Sequence, residues 1–138
     1  MWSSKAAEDP RVIAAYLDDV DLELDAAKRL IAEPPNRFAA FHLQQAAEKL
    51  IKAIRLGRGL RMTKDHDLEL LINELSPDDA WRPKLAVLEP LSSYATTYRY
   101  PSPMGRRKTG PSSDEVLVWI ETIAGLRAEA RALVQPAT

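Results

Sequence analysis

The sequence predicts an all-α protein, an up-and-down bundle of four to five helices. Three observations lead there. No stretch alternates apolar and polar residues as a half-buried strand does. Five stretches instead repeat apolar residues at steps of three and four, the spacing that gathers them on one side of a helix. Clear breakers separate these stretches, and the connections are short apart from one loop, which favours sequential antiparallel packing.

The first helix is predicted over about 10–33. Val12, Ile13, Tyr16, Leu17, Val20, Leu24, Ala27 and Ile31 form its apolar stripe, and Pro34-Pro35 stops it. The second runs over about 36–56 and is the most clearly amphipathic. At 100° per residue, Leu43, Ala47, Leu50, Ile51 and Ile54 share one face. Gln44, Gln45, Glu48, Lys52 and Arg55 share the opposite one, and Gly57 and Gly59 mark the end.

A short third helix is predicted over about 66–75, with Leu68, Leu71, Ile72 and Leu75 inward and Asp65 as its N-cap. The fourth begins near Ser76-Pro77, a cap followed by proline at the first helical position. It carries Leu85, Leu88, Leu91, Ala95 and Tyr98. Pro83 and Pro90 inside it predict a late start, a kink, or both. Residues 101–111 form a basic loop punctuated by proline and glycine. The last helix opens at Ser112, which has capping-box spacing to Glu115. Val116, Trp119, Ile120, Ile123, Leu126, Ala130 and Leu133 then face one side.

The 138 residues fit a single domain, with its core over about 10–134. A chain of this size buries roughly two-thirds of the surface it exposes when unfolded. There are no internal repeats. With 19 basic and 20 acidic residues and a net charge of −1, the chain is not a general nucleic-acid coat, so any anion site must come from local clustering. The absence of cysteine excludes disulfides, thiolate zinc and cysteine nucleophiles. The longest notable apolar run, from Val116 to Ile120, is five residues, too short to span a bilayer. The N-terminal stretch lacks the apolar core of a signal peptide, so a soluble cytoplasmic protein without membrane attachment is expected.

Charge is uneven along the chain. Residues 8–25 hold seven acids against one base, Arg11. Lys49, Lys52, Arg55, Arg58, Arg61 and Lys64 follow at a three-residue step, and Arg99, Arg106, Arg107 and Lys108 cluster around the long loop. One reading is a solvated face plus a mobile loop. The sharper one is an anion site for phosphate or RNA where the end of the second helix meets the basic loop, with the acidic first helix suited to a basic partner or to self-association. A three-residue step drifts around a helix, so the six bases cannot share one face. Phe41 falls on the polar side of the second helix, which suits either a contact with a neighbouring loop or a helix–helix interface with another chain. His42 lies beside it. Two histidines without a third nearby ligand give no metal site. His66 suits a capping or packing role at the third helix.

Arg61 and His66 also have the spacing of an R-x4-H pair. In ribonuclease chemistry the histidine acts as acid or base on the 2′-hydroxyl and the arginine holds the phosphate. No Gly-rich phosphate loop or nucleophile elbow is present, and the acids Asp18-Asp19 and Asp78-Asp79 read as solvated surface or helix-start residues.

The run Phe41-His-Leu-Gln-Gln-Ala-Ala-Glu-Lys-Leu-Ile-Lys-Ala-Ile54 resembles the signature helix of HEPN domains, named for higher eukaryotes and prokaryotes nucleotide-binding. Thr63-Lys-Asp-His-Asp-Leu68 looks like the His-led start of that family's short helix, and Tyr94 to Pro101, with Arg99-Tyr100-Pro101, resembles its Tyr…Arg-Tyr-Pro segment. The resemblance covers about 10–134. It implies a bundle that dimerises and pairs with a minimal nucleotidyltransferase, within a family whose members are either ribonuclease toxins of toxin–antitoxin pairs or non-catalytic nucleotide-binding modules. The ribonuclease branch carries its R-x4–6-H in a later helix, often followed by x-Tyr. Here no histidine follows Arg99, and position 68 is leucine.

The expectation is therefore a non-catalytic module with no cofactor, binding a nucleotide such as ATP. Lys49, Lys52, Arg99, Arg106, Arg107 and Lys108 would supply charge, and Gln45, Glu48, Tyr94, Tyr98 and Tyr100 a polar cleft. The alternative is a metal-independent ribonuclease using Arg61 and His66.

Overall fold

In the computed structural model the described residues are 9–31, 36–94, 103–105 and 110–132. Among them are five α-helices and one 3-10 turn, and no strand. The helices are α1 (Pro10–Leu30), α2 (Arg37–Gly57), α3 (Leu68–Asn73), α4 (Trp81–Ala86) and α5 (Ser113–Arg131); the 3-10 turn is Glu89–Ser93. The expected all-α bundle is what forms.

Asp9 caps α1, its side chain accepting from the Arg11 backbone N–H at 2.9 Å, with Pro10 at the first helical position. The expected Pro34-Pro35 stop lies outside the described residues. Helix α2 is the axis of the bundle. It packs on α1, α3, α5 and the 3-10 turn, and 14 of its 21 residues are buried. Ala39, Ala40, Ala46, Ala47 and Ala53, all buried, let the neighbouring helices approach closely.

This burial corrects the sequence reading of α2. Its polar side is not a solvated face, because Gln44, Glu48 and Arg55 are buried along with the apolar residues. Helix α2 ends in a Schellman motif: Leu60 N–H donates to the Arg55 carbonyl and Gly59 N–H to Leu56, each at 3.0 Å, with Gly59 at φ 81°. The chain then folds back along α2.

Helix α3 starts later than predicted, and Asp67 rather than Asp65 caps it, accepting from Leu70 N–H at 3.2 Å. Asp65 is held in a local turn with Thr63, and His66 is drawn to Glu48, so neither takes a helical role. Helix α4 has the expected late start. The Ser76 carbonyl opens a turn, accepting from Asp79 N–H, and one residue ahead of the Ala80 cap the Asp79 carboxylate accepts from Trp81 N–H at 2.9 Å. Pro83 then falls in the first turn, where no N–H is required. Past Ala86 the chain tightens to three-residue hydrogen bonds, with Pro90 at the start of the 3-10 turn. Leu85, Leu88 and Leu91 are spaced by three, the 3-10 period, and all are buried. Ala95, Tyr98 and Leu133 lie outside the described residues.

At the other end of α2, Asn36 donates to the Pro111 carbonyl at 3.0 Å and to Ser113 Oγ at 3.1 Å, fastening the return of the long loop to the bundle. Gly110 makes this approach possible: its φ is +93°, and a Cβ there would lie 2.7 Å from the Arg37 backbone N. Ser112 caps α5 as predicted, accepting from Glu115 N–H at 3.1 Å. Val116, Ile123 and Ala130 of α5 are buried, and Trp119, Ile120 and Leu126 are half-buried against the core.

Candidate nucleotide site

Gln44, Glu48 and Lys52 follow one another at steps of four, so α2 stacks them along one line. Glu48 is the hub. Its carboxylate accepts from Gln44 Nε2 at 3.0 Å, from Lys52 Nζ at 3.0 Å and from His66 Nδ1 at 3.0 Å. Gln45 extends the network, donating to Gln44 Oε1 at 2.8 Å. Burial alone would push the Glu48 carboxyl up, but the hydrogen bonds from His66, Gln44 and Lys52, with the lysine charge, outweigh it and hold the group below the usual carboxylate range. The carboxylate is buried while the His66 side chain is 72% exposed, so one edge of the imidazole faces the hub and the rest faces out.

A second cluster sits between α1 and α2. Glu23 accepts from Lys49 Nζ at 2.7 Å and pairs with His42 Nδ1 at 2.7 Å; Asp19 adds to Lys49 at 3.5 Å. Burial pushes Glu23 up, and Lys49 and His42 together bring it below its ordinary range. Burial works to lower the Lys49 ammonium, and the Glu23 and Asp19 charges raise it on balance.

The basic ladder of α2 is thus largely answered within the chain. Lys49 meets Glu23, Lys52 meets Glu48, Arg55 meets Glu74, and Arg58 grips Asp79 through two bonds at 2.7 and 3.1 Å. Of the two readings the sequence offered for Asp79, solvated surface or helix start, the structure shows the helix start, and the Arg58 guanidinium holds its carboxyl below the usual range. The acids of α1 are answered too: Asp9 by Arg11, Asp18 and Asp21 by Arg127, Asp19 and Glu23 by Lys49, and Asp25 by Arg29. A basic partner would find less free charge on α1 than the composition implies.

The last two rungs differ. Arg61 and Lys64 are exposed, and neither side chain pairs with an acid among the described residues. Arg61 borders a small hollow with Lys52, Arg55, Met62, Thr63 and Tyr16. So Lys52 and Arg61 line one hollow, Lys49 turns away toward α1, and Tyr94 packs half-buried against the core. Arg99, Arg106, Arg107, Lys108, Tyr98 and Tyr100 lie outside the described residues. Another hollow, of about 500 Å³, lies between the end of α2 and the α3–α4 turn. Glu74, Asp78 and Asp79 line it, which does not suit a phosphate. Tyr16 is the residue that sequence reasoning assigned wholly to the core. Its only distinguishing signal was a hydroxyl in an otherwise apolar stripe.

The family model described as HEPN domain matches residues 15–132. The chain belongs to the HEPN family. No curated protein and no solved structure matches it. In this HEPN domain the signature helix is α2, and its Glu48 meets the histidine of the Thr63–Leu68 segment across the fold, so two separate stretches of the resemblance converge on one carboxylate. Among the described residues no helix is long and apolar enough to cross a membrane.

Proposed function

We propose that this HEPN domain is a non-catalytic module that binds a nucleotide such as ATP, associates with a second copy of itself and works beside a minimal nucleotidyltransferase. One observation carries the nucleotide reading: Arg61, exposed and with no acidic partner among the described residues, lines the same small hollow as Lys52, which the Glu48 hub holds. A phosphate answers that charge with short charge-assisted hydrogen bonds. The non-catalytic part is supported by His66 itself. Its Nδ1 is engaged by a carboxylate already shared with Lys52 and Gln44, which makes it an anchor for the loop after α2. The nucleotidyltransferase partner rests on the family resemblance alone.

Self-association is supported by α5. Leu117 and Val118 are 43% and 61% exposed, and Ala124, Gly125 and Ala128 are exposed further along. A second α5 laid antiparallel about the middle of the helix sets Leu117 over Ala128 and brings Arg131 opposite Asp114, pairing large with small and base with acid. Light scattering is expected to give the dimer mass for the wild type and the monomer mass for Leu117→Glu. A wild-type monomer at micromolar concentration contradicts this.

A second reading has its own observation. A histidine held through Nδ1 by a carboxylate, with its other edge open and a free arginine five positions earlier, is also how a general base is oriented for RNA cleavage. Incubation with structured RNA in EDTA separates the two. The proposal expects no cleavage by wild type or His66→Ala. Cleavage by the wild type, lost in His66→Ala, establishes the ribonuclease instead.

A further inference from the structure

Two hollows meet at Tyr16 of α1, the one residue that lines both. The wider, about 400 Å³, is walled by Val12, Ala15 and Tyr16, with the carboxylates of Asp9 and Asp19 and the guanidinium of Arg11 at its rim. It is an open hollow, walled on one side only by α1 and its cap. The other has room for about 10 Å³ and carries Lys52, Arg55 and Arg61 with no carboxylate in its lining. It is too small to admit a phosphate, which would rest on its mouth.

The charge difference orients a ligand. Arg11, the one base lining the wider hollow, is already paired with Asp9, so a polyphosphate finds no free cation there and is drawn to Arg61, which has no acid partner among the described residues, whereas a neutral base and ribose can donate amino and hydroxyl hydrogens to the half-exposed Asp19. Tyr16 itself is half-buried, and its hydroxyl makes no hydrogen bond to a described residue, unusual for a tyrosine packed against a core. Building on the nucleotide reading above, we infer that Tyr16 is the wall against which the base of the nucleotide lies, the base and ribose filling the Val12–Asp19 hollow and the phosphates reaching Arg61.

The test is calorimetric titration of the intact protein with ATP and, separately, with inorganic tripolyphosphate, which lacks base and sugar. The wild type is expected to bind ATP about tenfold tighter than tripolyphosphate, the scale of one base stacked on an aromatic ring. Tyr16→Leu, which keeps apolar bulk for the core, should bring ATP down to the tripolyphosphate affinity without changing the latter. Tyr16→Phe should keep the preference. Equal binding of the two ligands by wild type, or a preference that survives Tyr16→Leu, overturns the Tyr16 assignment and leaves phosphate binding at Arg61 standing. Binding of neither ligand by wild type overturns both.

Discussion

Glu48→Gln is expected to destabilise the protein by about 3 kcal/mol, as breaking a buried ion pair on one side does. That corresponds to a fall in melting temperature on the order of 10 °C for a domain of this size. The glutamine nearly matches the shape, so the loss is electrostatic: Lys52, only 13% exposed in its side chain, keeps a charge with no counter-charge. Lys52→Met in the same background should restore part of the stability, because no orphaned charge then remains. Calorimetric melting of the two single variants and the double variant measures this.

The same residue sets the acid limit of the fold. Its folded-state pKa lies below its unfolded one, so the unfolded chain binds more protons between the two and stability rises with pH across that window. The stabilisation is fully present above the ordinary glutamate value of 4.5 and is lost as pH falls through the lowered value. Glu23 and Asp79 are lowered in the same direction, so Glu48→Gln should flatten the acid slope of stability without abolishing it.

Arg55→Met is expected to cost about 2 kcal/mol through a different mechanism. The buried guanidinium donates to the Leu71 carbonyl at 3.0 Å and to Glu74 Oε1 at 2.6 Å, bolting α2 to α3. Methionine fills the space and leaves the Leu71 carbonyl without that donor. Glu74→Gln leaves the Arg55 guanidinium without its acid but keeps its bond to the Leu71 carbonyl and an amide oxygen at the half-exposed position 74, so it should cost less than Arg55→Met. Hydrogen exchange should quicken in α3 beyond the global change for Arg55→Met. Equal melting temperatures for Arg55→Met and Glu74→Gln would show that the carbonyl bond contributes nothing.

The helix boundaries were legible where a local signal decided them: Gly59 after α2, and Ser112 with Glu115. They were misread where a distant partner competed. His66 reads as the first residue of a helix until Glu48, 18 positions earlier, claims it. Asp79 reads as a solvated or helix-start acid, and nothing in the sequence signals that Arg58, 21 positions earlier, folds over it. The amphipathic wheel of α2 was correct about which residues share a side, but a wheel cannot say what covers the polar side. The family resemblance pointed to the Glu48 helix and to His66 without showing that they touch. Tyr16 was hidden for the opposite reason, since its place in an apolar stripe explained it completely until the hollows on either side were visible.

The proposed nucleotide is held by its phosphates at Arg61. Calorimetric titration of ATP into the wild type and Arg61→Gln tests this most directly. Because Arg61 is exposed and bonds to no acid among the described residues, the variant should melt like the wild type. The account predicts saturable ATP binding by the wild type, weakened about tenfold or more in Arg61→Gln by the loss of a charge-assisted hydrogen bond. No binding by the folded wild type, or an unchanged affinity in the variant, would contradict it.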